Sequence, residues 1–259
     1  MKLKKRRKKA PRKKAWNLIY LVPGAFTMMN LYFGYNAINY AIKGRLSTAA
    51  FFIILAAIMD FFDGRIARAV KVSSPFGIQL DSLADLISFG VAPSVLFFVW
   101  NLQNVHKVGL FVSFLFLAAG ALRLARFNVM QIEGLNTRKY FEGLPIPSAA
   151  LVMVSTVLLF PVPPEHFFFP VVMSLLVFVL SFLMISKIKY RSFKDLNVRA
   201  KKSYIAVFVF AFVFSIIALW PTKSIAVLSY AYMLSGPFSE LKHLLKKKVP
   251  VMEENEQRI

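Results

Sequence analysis

The sequence predicts an all-α fold: a polytopic membrane helix bundle of about eight transmembrane helices. Three observations carry that expectation. Hydrophobic residues make up 58% of the chain while only 12 residues are acidic, a balance outside the range of ordinary soluble domains. Apolar runs recur at or near the roughly 20 residues that a helix needs to cross a bilayer. With the N-terminus inside, all but four of the 33 Lys and Arg residues fall on one side of such a bundle, the asymmetry that the positive-inside rule describes. The four on the other side are Lys43, Arg45, Lys107 and Lys223.

Composition also excludes other classes. The formal charge of +21 could mark a nucleic-acid binder, but the basic residues punctuate apolar runs of spanning length, so no nucleic acid is expected. Cysteine is absent, which removes a disulfide framework and any thiolate metal site.

Taken in order, residues 1–24 form a basic cytoplasmic tail and an interfacial lead-in. Met1–Lys14 contains ten Lys or Arg residues, suited to anionic lipid headgroups, and Trp16 and Tyr20 are aromatics of the kind that settle at a membrane interface. A membrane domain follows over residues 25–241. Span 1 covers Ala25–Ile42 and carries Asn30, Asn36 and Asn39, which are expected to face other helices and hydrogen-bond there; Asn30 is also a candidate substrate contact. Span 2 is Ser47–Ala69, span 3 Gly77–Trp100 and span 4 Gly109–Phe127. Leu144-Pro145-Ile146-Pro147 opens span 5, since proline is tolerated in a first helical turn. Span 6 is Phe167–Ser186, span 7 Tyr204–Trp220 and span 8 Ser224–Leu241. Residues 242–259 are a cytoplasmic tail.

The chemistry concentrates between Asp60 and Asp85. A charged Asp at the centre of a membrane helix costs roughly 2.5–3.5 kcal/mol on insertion scales, so a group of them points to function. Asp60, Asp63, Gly64, Ala67 and Arg68 fall at i, i+3, i+4, i+7 and i+8, one face of a helix. Gly77, Asp81 and Asp85 fall at i, i+4 and i+8, again one face. A helical hairpin would bring the carboxylates together, and carboxylates that converge repel unless hard divalent cations neutralise them. Two such ions make a site suited to phosphoryl displacement. Small residues at Gly64, Ala67 and Gly77 allow a bulky ligand close to the backbone. A membrane transporter for metals or other ions is the reading from another class; the gathering of acids at one membrane face, with no acidic path onward, argues against it.

The same residues spell D-x2-D-G-x2-A-R-x8-G-x3-D-x3-D and so resemble the signature of the CDP-alcohol phosphatidyltransferases at every fixed position. That resemblance implies a reaction in which a hydroxyl attacks the β-phosphorus of a CDP-linked lipid and CMP leaves. It implies that Asp60, Asp63, Asp81 and Asp85 bind Mg2+ or Mn2+, two ions in all, and that Asp85 also deprotonates the acceptor. It gives Gly64, Ala67 and Gly77 the task of making room for the cytidine nucleotide, and Arg68 that of pairing with its phosphates.

Two further segments, Ala121–Asn128 and Phe141–Ala149, resemble the phosphatidylserine synthase branch of that family, and Met184–Phe193 does so more loosely. The partners implied are CDP-diacylglycerol, L-serine and membrane lipids, with a homodimer left open. The place implied is the cell (inner) membrane, with the active site facing the cytoplasm. A serine carboxylate needs a cationic fork, for which Arg123 and Arg126, three residues apart on one helix face, are the candidates; both could instead snorkel to lipid headgroups or pair with the motif carboxylates. Glu142 is a candidate for the serine ammonium. Acceptors with a phosphate, glycerol 3-phosphate or inositol phosphate, are the alternative. His106, His166 and His243 are isolated, with no paired His-x-Lys motif for the phospholipase-D-like route to the same product.

Overall fold

The computed structural model describes residues 13–70, 75–132, 140–191 and 219–247. Span 7 up to residue 218, the basic tail as far as Arg12, the residues after Lys247 and most of the basic loop Lys187–Lys202 lie outside the described residues. Helix α1 is Lys13–Ile42, α2 Leu46–Val70, α3 Pro75–Asp85, α4 Ala92–Trp100, α5 His106–Ile132, α6 Ile146–Leu159, α7 Phe168–Ile185 and α8 Pro221–Lys247. Among the described residues, four segments are long and apolar enough to cross a membrane: Leu46–Ile66, Phe76–Trp100, Leu102–Met130 and Phe168–Ile185. The 14-residue α6 is apolar but shorter. The expectation of a mostly helical protein with membrane-spanning helices therefore holds at that level.

Local chemistry sets the ends of these elements. Gly44, at φ +72°, closes α1: its N–H donates to Ala41 O and that of Arg45 to Tyr40 O, the left-handed glycine cap that satisfies a helix's last carbonyls. Beyond Asp85 the chain widens into one π-helical stretch, Leu86–Val91. The Ala92 N–H reaches back five residues to Ile87 O, and Pro93 has no N–H with which to continue the ordinary ladder. The π-turn joins α3 to α4, so span 3 is one continuous but uneven rod.

α1 is the central strut. It packs along α2 and also against α3, the π-turn and α4, while α3 packs chiefly on α1, the π-turn and α5. Spans 2 and 3 meet directly where α2 packs on the π-turn and α4, and span 1 packs along both. Small residues permit the approach: Ala37, Ala41, Ala49, Ala50 and Ala56 are fully buried. A methyl group on Gly34 would lie 2.2 Å from Ser88 Oγ and 2.8 Å from Ser88 Cα.

One feature departs from an all-helical chain. β1 (Tyr140–Glu142) pairs antiparallel with β2 (Lys189–Arg191), Phe141 opposite Tyr190. The pairing forms because the α5–α6 and α7 connections end side by side. Gly143 N–H donates to Ile188 O and Leu144 N–H to Leu183 O, and Gly143, at φ +77°, turns the strand into α6. Three-residue strands carry no readable alternation in sequence, so periodicity does not announce them.

The strand pair also docks α8. Pro237 lies inside α8, so the carbonyl four residues earlier, at Met233, has no helical donor. Tyr190 is fully buried and its hydroxyl donates to that carbonyl at 3.1 Å. Burial pushes the Tyr190 phenol above its ordinary pKa, which keeps the donor protonated. Gly236 makes room, since a methyl there would sit 2.3 Å from the tyrosine ring. Along α6, Ser155 meets Ser229 at 3.2 Å and Thr156 meets the Tyr230 hydroxyl at 2.8 Å, interhelical polar pairs of the kind that join membrane helices.

Candidate active site

The motif carboxylates come from two elements. Asp60 and Asp63 sit in the second half of α2; Asp81 and Asp85 sit on α3, Asp85 directly before the π-turn. Carboxylate oxygens of Asp60, Asp81 and Asp85 lie within 4.8 Å of one another, and none of the three residues is exposed. Three anionic groups this close favour a hard cation among them. Asp63 is outside this group of three: it is buried, 6% exposed, and accepts a hydrogen bond from Thr27 Oγ1 on α1. Asn30, also on α1 and fully buried, donates from Nδ2 to Asp85 Oδ1 at 3.1 Å.

The donor set fits a divalent metal. It is all oxygen, anionic and gathered, and Asn30 Oδ1 beside it is a buried acceptor with no hydrogen-bond partner, an arrangement with a cost unless a bound group compensates it.

The other predicted residues divide. Gly64 is exposed, and a methyl built on it would meet, beyond its own stretch of helix, no atom of the described residues within 4 Å. Among the described residues nothing requires a glycine there. Gly77 is partly buried in the first turns of α3. Ala67 and Arg68 belong to the final turn of α2, and their side chains lie outside the described residues.

Arg123 and Arg126 have different surroundings despite sharing a helix face. Arg123 is 8% exposed, its Nε has no hydrogen-bond partner, and it is within electrostatic reach of Asp85 and of Tyr232 on α8. Arg126 binds the main chain instead. Its Nη1 donates to Ile185 O at 3.2 Å and its Nη2 to Glu142 O at 3.0 Å, tying the end of α7 to β1. Glu142 has an exposed side chain; its contact here is the backbone carbonyl.

Asn128 is a residue that sequence reasoning missed. It is 8% exposed and donates to Ser82 Oγ at 2.9 Å, linking α5 to the helix that carries Asp81 and Asp85. Thr27 was missed as well, because a lone threonine in an apolar span has no local signal. Of the three asparagines expected to face other helices, Asn30 reaches one through its carboxamide, whereas Asn36 and Asn39 donate to carbonyls of their own helix, Tyr32 O and Tyr35 O. Their exposed positions explain the difference, since a side chain without a facing helix closes on the nearest carbonyl.

A bundle end with converging carboxylates and a buried guanidinium is suited to stabilising a displacement at a phosphorus. The sequence profile described as CDP-alcohol phosphatidyltransferase matches residues 20–185, and the chain belongs to that family. Among curated proteins it is similar to the CDP-diacylglycerol–serine O-phosphatidyltransferase of Helicobacter pylori, 35% identical over 225 residues that cover 85% of this chain and 91% of that one. The protein of the same name from Bacillus subtilis is 36% identical over 173 residues, 67% of this chain and 91% of that one. The Saccharomyces cerevisiae protein of that name is 42% identical over 140 residues, about half of each chain.

Proposed function

We propose that this chain transfers the phosphatidyl group of CDP-diacylglycerol to L-serine, giving phosphatidylserine and CMP. The observation that carries the reading is the meeting of Asp60, Asp81 and Asp85 in a chain of this family. Serine as acceptor is supported by the names of relatives that align over most of the chain.

Asp60, Asp63, Asp81 and Asp85 would hold divalent ions, Mg2+ or Mn2+ and two in number. Such ions supply charge neutralisation at the pyrophosphate and stabilisation of the leaving oxygen. The protein's own residues then position and exclude. Gly64, Ala67 and Gly77 leave room for the cytidine nucleotide, with Arg68 placed in sequence to meet its phosphates. The serine oxygen forms a bond to the β-phosphorus as the bond from that phosphorus to the bridging oxygen breaks, and CMP departs. Asp85 takes the hydroxyl proton, a transfer typically worth about 10²–10⁴-fold. Arg123, buried and with an unpartnered Nε, is the better candidate to meet the serine carboxylate. Arg126 shapes the adjoining strand pair.

This reading places an integral protein in the cell membrane, with eight spans over residues 25–241 and the site on the cytoplasmic side. The concentration of Lys and Arg on that side supports it. The test is purified protein with CDP-diacylglycerol and, in parallel, labelled serine, glycerol 3-phosphate and inositol phosphate, with CMP release followed with and without chelator. Metal-dependent incorporation of serine alone is expected. Preferential use of a phosphorylated acceptor would overturn the serine assignment, and full turnover in excess chelator would overturn the metal reading.

A further inference from the structure

The signature that marks the family lies wholly on α2 and α3, yet neither helix is the main support of the other. The element common to both is α1, and its contact face has a plain composition. Thr27, Asn30 and Gly34 fall at i, i+3 and i+7, one face of the helix. Thr27 Oγ1 donates to Asp63 on α2 and Asn30 Nδ2 donates to Asp85 on α3 at 3.1 Å. One turn along, Ser88 Oγ of the π-turn donates to Asn30 O at 3.0 Å, and Gly34 lets the two backbones close. Thr27 is 4% exposed and Asn30 fully buried, so both donors are shielded from water.

We propose that Thr27 and Asn30 are positioning residues: from a helix outside the signature they hold one carboxylate from each half of it, and so set the spacing of the metal-binding group. The inference rests on the reading of these carboxylates as metal ligands. The choice of donors is what gives it force. A Lys or Arg in either place would fix the carboxylate but cancel the charge that a divalent cation needs. A neutral hydroxyl or carboxamide fixes the oxygen and leaves the charge available. Ligand orientation by such outer partners is commonly worth about 10–100-fold in metal affinity or activity.

The experiment uses the full chain purified in detergent, titrated with Mn2+ while free Mn2+ is read by electron paramagnetic resonance. Turnover at saturating Mn2+ is measured beside it. Thr27→Val and Asn30→Ala are expected to weaken Mn2+ binding by about 10–100-fold and to recover part of their turnover at high Mn2+. Thr27→Ser, which keeps the hydroxyl, should bind as the wild type does. Asn36→Ala, on the same helix but bonded only to Tyr32 O, should also match the wild type. Where Asn30→Ala does not fold, Asn30→Gln, which shifts the carboxamide by one methylene, reads the same quantity. Wild-type binding that is lost in Asp60→Asn but kept in Thr27→Val and Asn30→Ala would overturn this inference alone. So would equal damage from Thr27→Ser and Thr27→Val. A wild-type chain that binds no Mn2+ would overturn the metal reading and this inference with it.

Discussion

Replacing Gly64 with alanine adds one methyl group to the last third of α2, where, beyond the helix's own local stretch, no atom of the described residues lies within 4 Å of the new carbon. The fold has no steric reason to resist it. Removing a helix-interior glycine should instead stabilise the helix by about 0.5–1 kcal/mol, so the apparent Tm of Gly64→Ala should stay level or rise slightly. Activity should move the other way. If the nucleotide of CDP-diacylglycerol lies against this backbone, the methyl intrudes on it as an overpacked core residue would. That costs about 1–3 kcal/mol, or roughly 5- to 150-fold in kcat/KM for CDP-diacylglycerol. The assay is CMP release from mixed micelles at varied CDP-diacylglycerol, alongside thermal unfolding of the same preparation. Gly34→Ala serves as the contrast: its methyl would strike Ser88 Oγ at 2.2 Å and Ser88 Cα at 2.8 Å, so it should lose stability and activity together. A Gly64→Ala protein that folds normally and keeps wild-type kcat/KM would refute the reasoning, because the open space would then serve no substrate.

Three further outcomes follow from the same geometry. Asp85→Asn should lose about 10²–10⁴-fold in kcat even at Mn2+ high enough to offset any loss of metal affinity; turnover restored by high Mn2+, as for a ligand variant, would leave its role as a base without support. Gly143→Ala combines a left-handed φ of +77° with a methyl 2.3 Å from Met184 O. It should destabilise by at least about 1–3 kcal/mol, read as a lower Tm in detergent, and an unchanged Tm would count against the β1–α6 turn as described. Ser192→Cys, in the cysteine-free chain, should resist an impermeant thiol reagent added outside intact cells, whereas Asn104→Cys, in the exposed turn before α5, should react. Labelling of the first from outside would reverse the proposed orientation.

The sequence made the chemistry easier to see than its support. Asp60, Asp81 and Asp85 were legible because carboxylates are costly in apolar helices and their spacing repeats the helical period. The same periodicity placed α2 over Leu46–Val70, close to the expected span. What stayed hidden depends on contacts between distant positions. Thr27 and Asp63 are 36 residues apart and Asn30 and Asp85 are 55 apart, and nothing local distinguishes those donors from Asn36 or Asn39. The different surroundings of Arg123 and Arg126 were equally illegible, since spacing puts both on one face but not which carbonyls end nearby. α1 begins at Lys13, twelve residues before the expected span, because the helix runs on through Pro23 and Gly24, the breakers at which the expected lead-in ended.

The lock between Tyr190 and α8 bears on the order in which the molecule is completed. Until α8 is in place, the strand pair presents a phenol whose acceptor has not yet arrived. The acceptor, Met233 O, is in turn a carbonyl that Pro237 has left without its helical donor. Each half carries a defect that only the other repairs. α8 is therefore not a removable appendage: without it the buried Tyr190 hydroxyl would lose the acceptor that Met233 O provides.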